Sequence, residues 1–155
     1  MKSPSKRLKI LTANEIEDLY GLPSFTNEER FKYFTLNSLE EDALKNLRSI
    51  SSKIVFILSL AYFKAKTMFF TFSEDQVQDD VNFVCLKYFS HHKSPDITIS
   101  KPTRLNHQYL ILSLLNYQPC TQEIRHILKE KAENLSTIHA KPIFIFKELI
   151  AFLEC

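Results

Sequence analysis

The sequence ISSKIVFILSLAYFKAKTMFF, residues 50–70, is apolar at almost every position between its lysines. It contains no glycine, proline or acidic residue, so nothing interrupts a helix of about five turns. Ser52, Ser59 and Lys66 recur at every seventh position and form one narrow polar line along a helix that is otherwise apolar on all sides. Such a helix must be buried. We therefore predict a central core helix around which the other segments pack.

The apolar part of this stretch is too short to cross a membrane. Ten residues, 54–63, lie between Lys53 and Lys64, whereas a bilayer requires about 20 apolar residues. The basic N-terminus, MKSPSKRLK, is not followed by an apolar run with a small-residue cleavage site, so no secretory signal is expected. The sequence predicts a cytoplasmic protein that has no membrane partner.

The composition favours an all-α fold. The 155 residues are 45% hydrophobic and 25% charged, enough for one domain or two small ones. There are 13 Phe and 6 Tyr but one Gly, whereas a β sandwich needs glycine at its hairpins. Three widely spaced cysteines are typical of reduced thiols rather than of a disulfide framework. We predict a helical bundle of helix-turn-helix-like units around one buried central helix.

Capping boxes mark several predicted helix starts. In each, Ser or Thr is followed three residues later by Glu or Gln, so that each side chain can bond the backbone N–H at the other position. The pairs are Thr12 with Glu15, Thr26 with Glu29, Ser38 with Glu41, and Ser73 with Gln76. The third pair opens a helix that leads through a short turn into the central helix. This succession has the layout of a helix-turn-helix.

The polar connection HHKSPDITISKP, residues 91–102, contains two prolines and is the predicted domain boundary. The predicted parts are a basic arm (1–10), a helix-turn-helix-like DNA-binding subdomain (11–92) and a second helical subdomain (101–155). In the second, Thr103 is the predicted cap of a helix whose core side carries Leu105, Tyr109, Leu112 and Leu115. The apolar last helix, 142–155, predicts self-association or contact with further protein that follows, so the chain is expected to be a fragment.

Charge is sorted along the chain rather than mixed. Residues 1–9 carry four cations and no acid, and residues 43–72 carry five cations and no acid, with acidic residues on either side of the second segment. DNA is one explanation, because clustered cations release counterions from phosphate. The alternative is a solvated surface whose charges complement the helix dipoles.

No motif for catalysis or for a metal is present. One glycine cannot build a phosphate-binding loop, and no serine or cysteine stands in a recognisable nucleophile motif. Cys85 with His91, and Cys120 with His126, are each six residues apart, whereas zinc half-sites place ligands about two to four residues apart. We expect a non-catalytic chain with no metal or other cofactor.

Two predicted helix starts carry cations and hydrogen-bonding side chains. Helix N-termini bind phosphate, and Arg and Gln read base edges. With the basic arm, these starts predict double-stranded DNA as the ligand; a cap with a solvated face is the alternative. We expect the arm to lie over the backbone or in the minor groove, Arg48 and Lys53 to meet phosphates, and the second start to read bases. The predicted DNA-binding residues are Lys6, Arg7, Lys9, Arg48, Ser52, Lys53, Lys101, Thr103, Arg104, His107 and Gln108.

Together these residues form a familiar order. It runs from Leu11-Thr12-x-x-Glu15, Tyr20-Gly21 and Lys32-Tyr33-Phe34-x-Leu36 through Arg48 and Lys53 to Thr103-Arg104-x-x-His107, Tyr117 and Pro142 with its apolar helix. This order resembles the N-terminal domain of class II replicative, or Tn-three family, transposases, over essentially the whole chain. The most specific parts are the Thr-Arg-x-x-His motif and the basic entry to the central helix.

The resemblance implies a helical domain that recognises the terminal inverted repeats of a transposon. In that family a C-terminal part, which this sequence lacks, cuts and joins strands with three acidic residues and magnesium. The sequence departs from the family pattern at Ser52 (commonly asparagine), Val55 (glycine) and Cys120 (an aromatic residue). The first change is expected to weaken a polar contact to DNA, and the second to alter packing at the start of the central helix. The alternatives are a helical protein-interaction or oligomerisation module and a decayed transposase remnant without activity.

Overall fold

A computed structural model of the chain describes residues 9–90 and 96–154. Within these ranges the chain forms α-helices, one 3₁₀ turn (Glu74–Val77) and no strand, so the all-α prediction is confirmed. The helices are α1 (Ala13–Tyr20), α2 (Asn27–Phe34), α3 (Ser38–Lys45), α4 (Ile50–Lys66), α5 (Gln78–Tyr88), α6 (Lys101–Leu114), α7 (Gln122–Ser136) and α8 (Pro142–Glu154). None of these helices is long and apolar enough to span a bilayer.

The chain divides into two compact units. The central unit is Tyr20–Gln118, and the terminal unit joins Met1–Leu19 with Pro119–Cys155. This division differs from the predicted boundary at residues 91–102. Helix α6 belongs to the central unit because it packs against α4 and buries His107 and Ile111. Ile97, inside the predicted linker, is also part of the core.

Helix α4 is the core of the central unit. Ten of its 17 residues are buried, and the helices α2, α5 and α6 pack against it. Its position confirms the prediction of a buried central helix. The surrounding helices contribute the following buried side chains: Phe34, Ala43, Val77, Val81, Val84 and Ile111.

Helix α4 ends four residues before the predicted end at residue 70. Thr67 adopts left-handed backbone angles (φ 55°, ψ 38°), and its N–H donates to the Phe63 carbonyl at 2.7 Å. The chain then turns back, so that the Phe69 ring lies 4.8 Å from the Phe63 ring and Phe72 meets the Tyr62 ring edge-on at 5.6 Å. The apolar residues after Thr67 therefore cover α4 instead of extending it.

Thr67→Gly is expected to stabilise the protein by about 1 kcal/mol, because a β-branched residue in left-handed conformation is strained and glycine is not. Asn116, the other described non-glycine residue with positive φ (59°), provides the control. Asparagine tolerates this conformation, so Asn116→Gly should change stability much less. Urea unfolding of both variants measures the difference. A Thr67→Gly variant less stable than the parent would contradict the left-handed backbone conformation of Thr67.

The capping boxes are confirmed at Thr12 with Glu15 and at Thr26 with Glu29, with both reciprocal bonds formed in each. The predicted box at Ser38 is wrong by one residue, since Asn37 and Glu40 form it. Glu40 is buried and binds Lys64 of α4 at 2.8 Å. This ion pair fixes which glutamate faces α4 and thereby the register of α3.

A buried polar network joins α2, α4 and α5. Asp80 of α5 accepts hydrogen bonds from Arg30 Nε of α2 at 2.8 Å and from the Tyr62 hydroxyl of α4 at 2.5 Å. Burial, together with the bond to Asp80, raises the pKa of Tyr62 well above its usual value, so the phenol stays protonated and donates. Asp80 itself is 6% exposed. The Asp80 carboxylate therefore connects the three helices α2, α4 and α5 through hydrogen bonds.

Two phenylalanines of α2 differ in burial. Phe31 is 62% exposed, whereas Phe34 is fully buried. The side of α2 that meets α4 and α5 carries Phe34, whose carbonyl accepts from the Tyr88 hydroxyl of α5 at 2.6 Å. Phe31 only reaches the rim of this contact, with its ring edge-on to Phe83.

The terminal unit contains helices α7 and α8, which pack against each other. No residue of α1, α7 or α8 is buried. In α8, the side chains of Phe144, Phe152 and Leu153 are exposed, although the Lys131 ammonium lies 5.1 Å from the centre of the Phe152 ring. Apolar surface on α8 therefore remains open to solvent.

Candidate nucleic-acid interface

Helices α4 and α6 lie side by side and run in the same direction. Ser52 Oγ, in the first turn of α4, is 2.9 Å from His107 Nε2, in the second turn of α6. Near their last turns, the rings of Phe63 and Tyr117 meet edge-on at 5.0 Å. The two contacts are separated by 11 residues along one segment and 10 along the other. Both helix N-termini therefore lie at the same end of the central unit.

Serine hydroxyls cap both helices. Ser49 Oγ accepts from the Ser52 N–H at 3.0 Å, and Ser100 Oγ accepts from the Thr103 N–H at 3.3 Å. Neither helix has an acidic residue in its first turn, whereas α1, α2, α3, α5 and α7 all have one. The positive ends of the α4 and α6 dipoles are therefore not compensated by their own side chains.

Four cations stand at these two helix starts. Arg48, Lys101 and Arg104 are exposed and Lys53 is half-buried. Among the residues that the structure describes, none of the four pairs with an acidic side chain. No acidic residue occurs in residues 43–73 or 97–122. The two segments that form these helix starts are therefore positively charged and offer exposed cations to an anionic partner.

The predicted cap of α6 is wrong by three residues. Ser100, not Thr103, is the N-cap, because the helix already begins at Lys101. Pro102 lies in its first turn, where a missing backbone N–H is tolerated. Thr103 is half-buried, and its Oγ1 lies 2.8 Å from Ser100 Oγ. Thr103 therefore supports the cap and has little freedom to bind elsewhere.

His107 and Ser52, both predicted to contact DNA, lie in the interior. They are 2% and 8% exposed, and the His107 ring packs edge-on against Phe56 at 5.6 Å. A side chain that faces the core cannot reach a base edge. Direct contact of these two residues with DNA is therefore incompatible with the structure, and they bond the first turn of α4 to the second turn of α6 instead.

The predicted core side of α6 is wrong in part. Leu105 and Tyr109 are exposed, Tyr109 by 63%, whereas His107 and Ile111 face the core. If histidine is counted as polar, the sequence pattern assigns Leu105 and Tyr109 to the core. The buried side of the helix in fact includes His107 and Ile111. Asn106 and Tyr109 are therefore further surface residues of α6 that the sequence did not single out, although Asn and Tyr are common hydrogen-bonding residues at nucleic acids.

The remaining predicted residues are distributed as follows. Gln108 is half-buried on α6, and Lys9 is exposed in the terminal unit. Lys6 and Arg7 lie outside the described residues. The middle of α4, residues 54–63, is buried apart from the half-buried Ser59, so a ligand can reach only the two ends of this helix. In contrast, α6 has one exposed side along its length.

Acidification should reveal the burial of His107. Burial lowers the pKa of this histidine from its usual 6.5, so the unfolded chain takes up a proton at a higher pH than the folded chain. The stability that neutral His107 contributes is complete above about pH 6.5 and is lost as the pH falls through the lowered pKa. His107→Phe should therefore lose less stability between pH 7 and 5 than the parent, as measured by urea unfolding. Equal losses would contradict a buried neutral imidazole.

A family model described as "Domain of unknown function (DUF4158)" matches residues 10–155. The chain belongs to the DUF4158 family. No curated protein and no solved structure matches it. The matched range of this DUF4158 domain includes both helix starts and the Ser52–His107 pair.

The described part of this DUF4158 domain holds no group of three or more His, Cys, Asp or Glu side chains placed to bind a metal ion. Cys120 is exposed and Cys85 is half-buried, and burial raises the pKa of the Cys85 thiol. A thiol with a raised pKa is a weaker nucleophile at neutral pH. The positive end of the central unit is therefore the site with the clearest chemical character.

Proposed function

We propose that this chain is a DNA-binding module of a Tn-three-type transposase that recognises terminal inverted repeats in the cytoplasm and has no catalytic activity of its own. The observation that carries the proposal is the parallel packing of α4 and α6, which sets two helix N-termini without acidic first-turn residues at one end of the central unit. Four cations with no acidic partner among the described residues stand at these starts. Packed helices lie about 8–10 Å apart. Two such starts fit neighbouring phosphates of one duplex.

Within this proposal, the residues have separate roles. Arg48, Lys53 and Lys101 bind phosphates, because they stand at the helix starts where backbone N–H groups also point outward. Arg104 and Gln108 read base edges from α6, since Arg pairs with guanine and Gln with adenine through two hydrogen bonds. The arm residues Lys6, Arg7 and Lys9 lie over the backbone or in the minor groove. Ser52 and His107 have no direct contact with the duplex.

A fluorescence anisotropy titration tests the proposal. The protein should bind a duplex that carries a terminal inverted repeat of its own element, and bind it more tightly than a scrambled duplex of equal length. The binding constant should fall steeply with added salt, because phosphate contacts release counterions. Absence of binding to either duplex at low salt would contradict the proposal. Equal affinity for both would support DNA binding without recognition of a repeat.

A second function, self-association through α8, is favoured by the solvent-exposed apolar side chains of that helix. Large apolar patches on a surface mark protein contacts. If α8 joins two copies, or joins the chain to the remainder of a transposase, light scattering should give a mass that rises with concentration. Phe144→Glu with Leu153→Glu should return the mass to that of one chain. A constant monomer mass for the parent would contradict self-association.

A further inference from the structure

We infer that Ser52 and His107 form a clamp that positions the starts of α4 and α6 for DNA without touching the duplex. The inference rests on the proposed function. Ser52 lies in the first turn of α4, next to Lys53 and four residues after Arg48. His107 lies three residues after Arg104 on α6. The 2.9 Å bond between the two side chains therefore joins the first turn of α4 to the second turn of α6, one turn after Arg104.

The remaining contacts of the pair show that it has no freedom to act elsewhere. The Ser52 N–H is held by the Ser49 cap at 3.0 Å, so the serine is fixed to the beginning of α4. The His107 ring is fixed by its edge-on contact with Phe56, one turn further along α4. Both partners are buried, so water does not compete for their bond. A bond of this kind fixes the distance and the register of the two helix starts.

Stability alone does not account for this pair. Among the described residues, none bonds the buried His107 Nδ1, and a buried polar atom without a hydrogen bond destabilises the folded state. Two apolar side chains of similar shape would avoid that cost and pack against Phe56 equally well, because replacing both partners of a buried polar pair is often neutral or stabilising. Buried polar groups that do not improve stability commonly specify one arrangement of helices. Here that arrangement places Arg48 and Arg104 on the same end.

A clamp of this kind affects binding through preorganisation. If the two helix starts are held together before DNA arrives, binding does not have to order them. If the bond is removed, each start can still meet a phosphate, but the two no longer act as one rigid group. The duplex should then dissociate faster, while the fold remains intact.

The test is the double variant Ser52→Ala with His107→Phe, which keeps the ring and removes both polar groups. Its free energy of unfolding should equal or exceed that of the parent, whereas its affinity for the inverted-repeat duplex should fall about tenfold. Ser52→Thr, which retains the hydroxyl, should keep most of the affinity. Ser52→Ala alone should weaken binding to a similar extent and replaces the double variant if the latter does not fold.

Tyr88→Phe is the matched structural control. It removes a partly buried hydroxyl that bonds the Phe34 carbonyl and the Leu36 N–H, on the α2 and α5 side of the central unit. This variant should lose stability and keep its DNA affinity. A loss of affinity in Tyr88→Phe as large as that in the double variant would show a general effect of destabilisation and overturn the clamp.

The clamp and the proposed function fail in different ways. If the parent does not bind DNA at low salt, the proposed function is wrong. If the parent binds and the double variant binds equally well, only the clamp is wrong. The energetic coupling between Arg48→Ala and Arg104→Ala is a further readout, because it should be measurable in the parent and shrink towards additivity in the Ser52→Ala background. Unchanged coupling in that background would also overturn the clamp.

Discussion

Replacing Arg48 and Arg104 together by alanine is expected to weaken binding of the inverted-repeat duplex about 100-fold at low salt. Both guanidinium groups are exposed, at the starts of α4 and α6, and neither has an acidic partner among the described residues. Loss of a phosphate contact lowers the slope of log binding constant against log salt by about 0.9. The slope should fall by about two if each arginine meets one phosphate.

The matched control is Arg125→Ala with Lys129→Ala. These exposed cations of α7 belong to the terminal unit, and the control removes the same charge. It should reduce affinity only slightly, through the smaller net charge. Equal losses in the two double variants would mean that DNA responds to the total charge and not to the helix starts.

The single variants separate the two roles proposed for these arginines. Arg104→Ala should cost the specific duplex about 1–3 kcal/mol more than the scrambled one if Arg104 reads a guanine. Arg48→Ala should weaken binding to both duplexes alike, because phosphates carry no sequence information. A similar loss on both duplexes for Arg104→Ala would make that residue a phosphate contact.

Asp80→Ala is expected to lower the free energy of unfolding by about 3 kcal/mol. The substitution removes the acceptor for Arg30 Nε and for the Tyr62 hydroxyl, and the buried phenol has no route to water. Arg30 is partly exposed and recovers some hydration, which keeps the loss at the lower end for a buried charge pair. Urea unfolding followed by circular dichroism measures the change.

Asp79→Ala provides the adjacent control for Asp80. Asp79 occupies the neighbouring position in the same first turn of α5 but is exposed. It therefore shares the favourable interaction with the helix dipole but not the buried network. If the two variants lose the same stability, the network contributes nothing beyond the dipole, and the account of how α2, α4 and α5 are joined is wrong.

The helices and the identity of the core helix could be predicted from sequence because these depend on local patterns. Residues 54–63 are apolar on every side, so any fold must bury them. Capping boxes such as Thr26 with Glu29 involve residues three apart and form from local geometry alone. The end of α4 could not be predicted from the apolar pattern, because residues 68–70 are as apolar as those before them. Only the reversal at Thr67 shows that they pack beside the helix.

The candidate site depends on contacts that are distant in sequence. The sequence singled out Arg48, Lys53 and Arg104 at two helix starts, but their common location follows from a bond between residues 55 positions apart. No local pattern reports such a pairing. The prediction that His107 reads bases was wrong for the same reason, since its neighbours on α4 turn it inward.

Buried polar groups also explain the errors in assigning inward faces. Glu40 is buried because Lys64 of α4 forms an ion pair with it. The capping box of α3 therefore uses Asn37 with Glu40 and not the predicted Ser38 with Glu41. On α6 the buried residue is His107, whereas the hydrophobic pattern predicted that Leu105 and Tyr109 face the core. The burial of Glu40 and of His107 depends on a partner side chain of α4. It therefore cannot be predicted from the local sequence of α3 or α6.

The central claim is that a duplex lies across the adjoining starts of α4 and α6. The most direct test is an NMR titration of the isotope-labelled protein with the inverted-repeat duplex at low salt. We expect the largest changes in backbone amide shifts at residues 48–53 and 100–108, with little change in residues 122–136. Shift changes confined to other segments, or none at saturating DNA, would contradict the account.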